Sequence, residues 1–157
     1  MQMKDIKWVV FIFVLLTQGC AYLVQVPAYR VDLNKAQVNV YRGVYHVHTE
    51  FSHDSKATLK DVMKTARKAK LDFVVITDHN NLDAQWHDHE VPRRLYDPLL
   101  IYAVEISAPD GHIVALKVDE MPPEGLSSQQ IIDWIHDKDG YAMLAHPVCL
   151  KNPWRKL

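Results

Sequence analysis

Histidines and carboxylates recur along this chain at positions where short apolar runs end. His46 and His48 stand two positions apart in a strand-like segment, residues 44–48. Side chains two positions apart on a strand point to the same face, so these imidazoles should converge. Imidazole and carboxylate together are the usual protein ligands of Zn²⁺, Mn²⁺ and Fe²⁺. The pattern predicts a multinuclear metal site, with six further candidates: Asp54, Asp78, His79, Glu105, His112 and His146.

Alternating strand and helix patterns must position these residues. The sequence predicts strands at 44–48, 72–77, 99–106, 112–118 and 141–145. Amphipathic helices follow two capping sequences, which begin at Thr58 and Ser127. Repeated βα units favour a parallel sheet or barrel, in which the chemistry gathers at the carboxyl ends of the strands. The candidates obey this rule in four places: His46/His48, Asp78/His79, Glu105 and His146. His112 instead begins its strand, after a hairpin-like turn at 109–111.

Several other polar residues are interpreted as solvated. The first helix places an apolar stripe on one face, formed by Leu59, Val62, Met63, Ala66 and Ala69. The basic residues between them are typical of a helix face in water: Lys60, Lys64, Arg67 and Lys68. Four histidines lie in polar loop or helix segments and are predicted to be exposed: His53, His87, His89 and His136.

The first 20 residues resemble an export signal. Lys4 and Lys7 precede an apolar run at 8–16, which is shorter than the roughly 20 residues that span a bilayer. Gly19 and Cys20 resemble a bacterial lipobox, although Thr17 occupies the −3 position, where leucine is usual. Lipidation of Cys20 is favoured; an uncleaved anchor over 8–26 and ordinary signal cleavage stay open. Each places the protein outside the cytoplasmic membrane, in the cell envelope, and the first two tether it to a membrane.

Length and charge bound the remaining possibilities. The chain has 157 residues, which suits one domain, predicted at 43–157 behind a tether at 21–42. The net charge of −1 gives no basic footprint for nucleic acid. The two cysteines are Cys20 and Cys149, so lipidation of Cys20 excludes an intrachain disulfide. Nothing in the sequence indicates an oligomeric state.

The ordered motifs resemble the PHP (polymerase and histidinol phosphatase) family. They are His46-Val-His48-Thr49 with Ser52-His-Asp54, Ile76-Thr77-Asp78-His79, Val104-Glu105-Ile106, Gly111-His112-Ile113 and Ala145-His146-Pro147. The resemblance implies an α/β fold, a distorted (β/α)7 TIM-like barrel. It also implies up to three divalent metal ions, Zn, Mn or Fe, at the carboxyl ends of the strands. The implied activity is hydrolysis of a small phosphorylated substrate by a metal-activated water.

The resemblance also implies a role for each candidate. His46, His48 and Glu105 would hold one metal, and Glu105 would bridge to a second that His112 and His146 hold. Asp54 and His79 would belong to a third metal. Asp78 would either ligate a metal directly or, without touching the metal, orient a histidine that does. Turnover would depend most on Glu105, His48 and His146, and no serine or cysteine nucleophile would be needed.

Two departures from the family pattern are visible. The late Asp-x-His motif, which would complete the first and third metal sites, does not follow His146. Five predicted strands are too few to close a seven-stranded barrel, and the last would expose an unpaired edge. We therefore interpret the chain as a fragment with an incomplete barrel. A vestigial, non-catalytic metal-binding lipoprotein and another metal-assisted hydrolase on the same fold stay open as alternatives.

Overall fold

A computed structural model describes residues 39–149 and residue 154. The elements are β1 (Gly43–Val47), α1 (Leu59–Ala69), β2 (Phe73–His79), α2 (Asp83–Trp86), β3 (Leu99–Ala108), β4 (Gly111–Leu116), α3 (Ser128–Asp137) and β5 (Tyr141–Leu144). A 3-10 turn at Asp88–Glu90 follows α2. The five predicted strands and both amphipathic helices are confirmed. The sequence patterns missed α2 and the 3-10 turn, which are too short to show a period.

The five strands form one mixed sheet in the order β1-β2-β3-β4-β5. The first three are parallel, whereas β4 is antiparallel to both β3 and β5. The amino end of β4 therefore lies beside the carboxyl end of β3, where His112 pairs with Ser107. This reversal explains why His112 begins its strand and yet reaches the same sheet edge as the other candidates. The curled sheet agrees with the predicted incomplete α/β barrel.

The two long helices cover one face of the sheet. On β2 and β3, Val74, Ile76 and Leu100 pack against α1, whose Met63 is fully buried. Farther along the sheet, Val104, Ile106, Ile113 and Ala115 pack against Ile131 and Ile135 of α3. The opposite face carries a smaller cluster of Val75, Ala103, Val114 and Ala145. Glu105, Thr77 and His79 alternate with the helix-covered residues and so belong to this second face.

Local sequence signals fix the helix ends. Both predicted capping boxes form, because Thr58 pairs with Asp61 and Ser127 pairs with Gln130. The apolar stripe of α1 is buried except for Ala69, which is exposed at the last position of the helix. After α3, the Gly140 N–H donates to the Ile135 carbonyl at 2.9 Å. A Cβ at position 140 would lie 2.8 Å from the Leu116 carbonyl oxygen, so the close approach of this turn to β4 requires glycine.

The outer strands expose apolar side chains, as expected of a partial barrel. On β5, Tyr141 is 66% exposed, and Met143 and Leu144 are about two-fifths exposed. On β1, Val44 and Tyr45 are both 37% exposed. Within residues 39–149, no further strand pairs with either edge.

The export segment, Cys20 and most of the tether lie outside the described residues. Lipidation, cleavage and membrane attachment therefore stay predictions. Among the described residues, no helix combines the length and the apolar character that crossing a membrane requires.

Candidate metal centre

Glu105 is the centre of the site. Its side chain has no exposed surface, and ring nitrogens of five histidines surround the carboxylate. On one side of it, Oε2 lies 2.9 Å from His46 Nε2, 2.9 Å from His48 Nε2 and 3.5 Å from His79 Nε2. On the other side, Oε1 lies 2.9 Å from His112 Nδ1 and 2.8 Å from His146 Nε2. The two oxygens face different imidazoles, which is the arrangement that a carboxylate between two cations requires.

His46 and His48 converge, but not by the alternation of a regular strand. β1 ends at Val47, and its pairing with β2 is irregular between Val44 and Val47. His46 adopts a left-handed backbone with φ of 70°. A bulge therefore redirects the chain, and it brings the two ring centroids to 5.0 Å. The prediction that the two imidazoles converge is confirmed, but the regular alternation of a strand is not what brings them together. The conformation is sparsely populated by residues with a side chain and costs on the order of 1–3 kcal/mol.

Asp54 forms the open side of the site. Its carboxylate oxygens both lie 3.0 Å from His48 Nδ1, and Oδ2 lies 3.6 Å from His79 Nε2. The Ser52 hydroxyl donates to Asp54 at 2.8 Å and accepts the backbone N–H of His79 at 3.1 Å. Ser52 thereby links the loop after β1 to the end of β2. Because Asp54 is 42% exposed, it faces the side from which a ligand can enter.

Among the described residues, three groups each bring their donor atoms within 4.8 Å of one another: His46–His48–Glu105, His48–Asp54–His79 and His79–Glu105–His112. The first matches the predicted first metal, and the second contains the predicted pair for the third metal. The third group joins Glu105 and His112 to His79. His146, expected to share a metal with His112, lies beside Glu105 on the same oxygen.

Asp78 contacts the backbone next to the site. It is 1% exposed, and its carboxylate accepts the Thr49 N–H at 2.5 Å and the Thr49 hydroxyl at 2.6 Å. Thr49 follows His48 directly and is fully buried. Any effect of Asp78 on the His48 imidazole is therefore exerted through the position of the backbone.

Sequence reasoning gave no role to Asn80, Ser107 or His53. Asn80, with φ of 53°, donates to the Ser107 hydroxyl at 3.0 Å and accepts the Ser107 N–H at 2.8 Å. Its own N–H donates to the Glu105 carbonyl at 3.0 Å, so the ends of β2 and β3 are clamped together. The ring of exposed His53 lies 4.7 Å from that of His79. The left-handed propensity of asparagine was the available signal for Asn80. Nothing local marked the other two.

The remaining histidines follow the predictions with one exception. His89 and His136 are exposed. His87 is only half-exposed, because its ring stacks on Phe51 at 4.8 Å and its Nδ1 lies 2.7 Å from Glu90 Oε1.

The electrostatics couple Glu105 to its imidazoles. Burial raises the pKa of Glu105, but hydrogen bonds from His146 and His46 and the close contact of His48 outweigh burial and hold this pKa well below its usual range. The hydrogen bond to Glu105 raises the pKa of His146. Burial lowers the pKa of His48, yet its close contact with Glu105 and its hydrogen bond with Asp54 prevail, so the pKa is raised. Burial lowers the pKa of His79.

The residues fit a divalent cation. Nε2 of His48 is buried without an aligned hydrogen-bond partner, although it lies 2.9 Å from a Glu105 carboxylate oxygen. Buried polar atoms normally have partners, so atoms that are close but not aligned suggest that another species satisfies them. The donors are imidazole nitrogen and carboxylate oxygen, the set that suits Zn²⁺, Mn²⁺ or Fe²⁺.

The metal-free protein should be most stable between about pH 4.5 and 6.5. The depressed pKa of Glu105 contributes stability that is full above 4.5 and is lost as the pH falls toward its folded-state pKa. The raised pKa values of His48 and His146 contribute stability that is full below 6.5 and is lost as the pH rises through them. Because the pKa of His79 is lowered, its contribution to the pH dependence of stability has the opposite sign to that of His48 and His146. Urea unfolding in chelator across this range checks the prediction; a stability that increases from pH 6 to pH 9 would contradict it.

Comparison with known proteins relates this chain to a family. The sequence matches the PHP domain family over residues 45–141. An uncharacterized protein of Methanocaldococcus jannaschii is 28% identical, and the match covers 65% of each chain. A candidate metal-dependent phosphoesterase of Bifidobacterium adolescentis is 28% identical, with a TM-score of 0.40, over 61% of this chain and 32% of that one.

A second solved structure is a two-domain protein of Bacteroides vulgatus that contains a predicted PHP-like metal-dependent phosphoesterase. It is 21% identical with a TM-score of 0.51, over 69% of this chain and 35% of that one, and it supports the fold alone. The chain thus spans 65% of the length of the curated relative and about a third of each solved structure.

Proposed function

Because the chain belongs to the PHP domain family, we propose that it binds divalent metal ions around Glu105 and hydrolyses a phosphate ester. The observation that carries the proposal is the buried Glu105 carboxylate, whose two oxygens face separate sets of imidazoles. A buried carboxylate among imidazoles has little structural value, because apolar residues of similar volume would pack at lower cost. The proposed hydrolysis is the activity of a complete PHP-family site. This chain carries the part of that site formed by the residues described above.

The protein groups have separable roles in the proposed reaction. Glu105 holds negative charge between the two sides of the site, and His46, His48, His112 and His146 direct ring nitrogens toward it. Divalent cations bound there would supply a water activated near neutral pH and electrostatic stabilisation of the phosphoryl oxygens. Asp54 and His146 are the most exposed of these groups, at 42% and 35%, so the substrate phosphate should enter on their side.

Replacing His48 tests the proposal directly. His48 contacts both Glu105 and Asp54, so His48→Ala should lower hydrolysis of p-nitrophenyl phosphate, with Mn²⁺ or Zn²⁺, by at least about 100-fold. It should also lower the bound metal measured by inductively coupled plasma mass spectrometry. His136→Ala is the matched control, because His136 is exposed on α3 and should change neither quantity.

The outcomes separate the candidate functions. Metal binding without turnover on phosphomonoesters, phosphodiesters or amides would assign the chain to the non-catalytic alternative. Turnover of diesters or amides alone would keep the metal site and change the reaction. A wild-type protein that binds neither Mn²⁺ nor Zn²⁺ would contradict the proposal.

A further inference from the structure

A turn between α2 and β3 presents two large apolar side chains to solvent. Leu95 is 82% exposed and Tyr96 is 94% exposed. The Asp97 N–H closes the turn by donating to the Arg94 carbonyl at 3.2 Å, and Tyr96 has φ of 66°. A bulky residue rarely adopts this left-handed conformation, for which glycine or asparagine is the ordinary choice. A strained, almost fully exposed tyrosine therefore requires a reason other than the turn itself.

The turn is held rigidly against α1. Arg67 donates through Nε and a terminal nitrogen to the two carboxylate oxygens of Asp97, at 2.7 Å and 2.6 Å. The same guanidinium donates to the Pro92 carbonyl at 2.6 Å. The Arg94 N–H donates to Asp97 at 2.6 Å. This bidentate pair fixes the turn before any partner arrives, which reduces the entropy lost on binding.

Three basic side chains beside the turn form no ion pair among the described residues. A groove of about 360 Å³ between α1 and the loop is lined by Lys60, Lys64, Arg67 and Arg94, with Val91 and Pro92 among its apolar walls. Arg67 is neutralised by Asp97. Among the described residues, no ion pair joins Lys60, Lys64 or Arg94 to a carboxylate. The neighbouring Glu90 carboxylate is bonded to His87. The side-chain charges of Lys60, Lys64 and Arg94 act on the carboxylates of Glu90, Asp61 and Asp97 only at longer range.

We infer that this face, formed by Lys60, Lys64, Arg94, Leu95 and Tyr96, docks on an anionic lipid surface. Leu95 and Tyr96 are almost fully exposed on the turn, which suits insertion into a soft interface, whereas a protein partner would have to supply a matching pocket. Tyrosine is suited to the boundary between headgroups and acyl chains, and lysine and arginine beside it attract anionic headgroups. The export signal predicted at 1–20 is an independent reason to favour lipid, because two of its three interpretations tether the protein to a membrane.

Vesicle sedimentation of the full chain tests the inference. Adding phosphatidylserine to phosphatidylcholine vesicles should raise the affinity, and salt should reduce that gain. The double variant Lys64→Glu/Arg94→Glu should bind anionic vesicles more weakly, by at least about fivefold for each basic residue replaced. The loss should be confined to the anionic vesicles. Lys117→Glu/Lys138→Glu makes the same charge change elsewhere and should retain the wild-type affinity. Binding to neutral vesicles through the N-terminal segment should be equal in all variants.

Tyr96→Gly separates docking from folding. Glycine relieves the left-handed strain, so this variant should unfold at the same or a higher urea concentration while losing affinity for anionic vesicles. Equal affinity of wild type and Lys64→Glu/Arg94→Glu for anionic vesicles would overturn the inference. Charge-dependent binding to poly-glutamate without any preference for phosphatidylserine would assign the face to an acidic protein partner, and would equally overturn it.

Discussion

Glu105→Gln is expected to abolish metal binding and phosphate-ester hydrolysis together. The amide removes the negative charge that five imidazoles surround, and it turns one acceptor oxygen into a donor that faces ring nitrogens. The loss of metal affinity should exceed the roughly 10–100-fold that follows loss of an outer hydrogen-bond partner. Isothermal titration with Mn²⁺ and Zn²⁺, together with turnover of p-nitrophenyl phosphate, measures both effects.

A second readout makes this result independent of activity. The bond to Glu105 is the main cause of the raised His146 pKa, so the metal-free variant should titrate that histidine at a lower pH. Proton NMR of the histidine C2 resonances in chelator follows the change. Glu124→Gln is the control, since Glu124 is exposed outside the site and should leave the pKa and the metal affinity unchanged. Wild-type metal affinity in Glu105→Gln would remove Glu105 from the site.

Asp78→Ala is expected to destabilise the domain by about 3 kcal/mol. The truncation leaves the buried Thr49 N–H and hydroxyl without their acceptor, and both atoms lie in a region closed to water. Because Thr49 follows His48, the same change should loosen the position of that imidazole and lower metal affinity. Urea unfolding of the metal-free protein measures the first effect, and calorimetric metal titration measures the second.

Two further variants identify the cause of the lost stability in Asp78→Ala. Asp119→Ala removes an exposed carboxylate and should change the unfolding free energy by less than about 0.5 kcal/mol. The double change Asp78→Ala/Thr49→Val removes the acceptor together with the hydroxyl, so it should be less destabilising than the sum of the single changes. Strict additivity would show that the Thr49 hydroxyl contact is not part of the reason for the loss.

Helices and strands followed from local patterns in the sequence. The spacing of Leu59, Val62 and Met63 predicted α1, and Thr58 and Ser127 predicted where the helices begin. These features depend on neighbours within a few residues, which is why the sequence alone reveals them. The candidate ligands were found in the same way, because imidazoles and carboxylates at the ends of apolar runs have no ordinary packing role.

The geometry of the site depended on contacts between residues distant in the chain. The reversal of β4 carries His112 to the carboxyl edge of β3, and the bulge in β1 brings His46 toward His48. Likewise, Asp78 reaches Thr49 across 29 positions, and Asn80 reaches Ser107 across 27. Strand direction and pairing register decide such contacts, and no local propensity encodes them.

The sequence by itself determined which residue types are available for metal and, through its ordered motifs, the family. The tertiary structure decided that Glu105 is the shared centre, with His46, His48 and His79 on one oxygen and His112 and His146 on the other. The physical reason is that a ligand set is a property of distances of a few ångströms. Those distances are fixed only when five strands from different parts of the chain pack into one sheet.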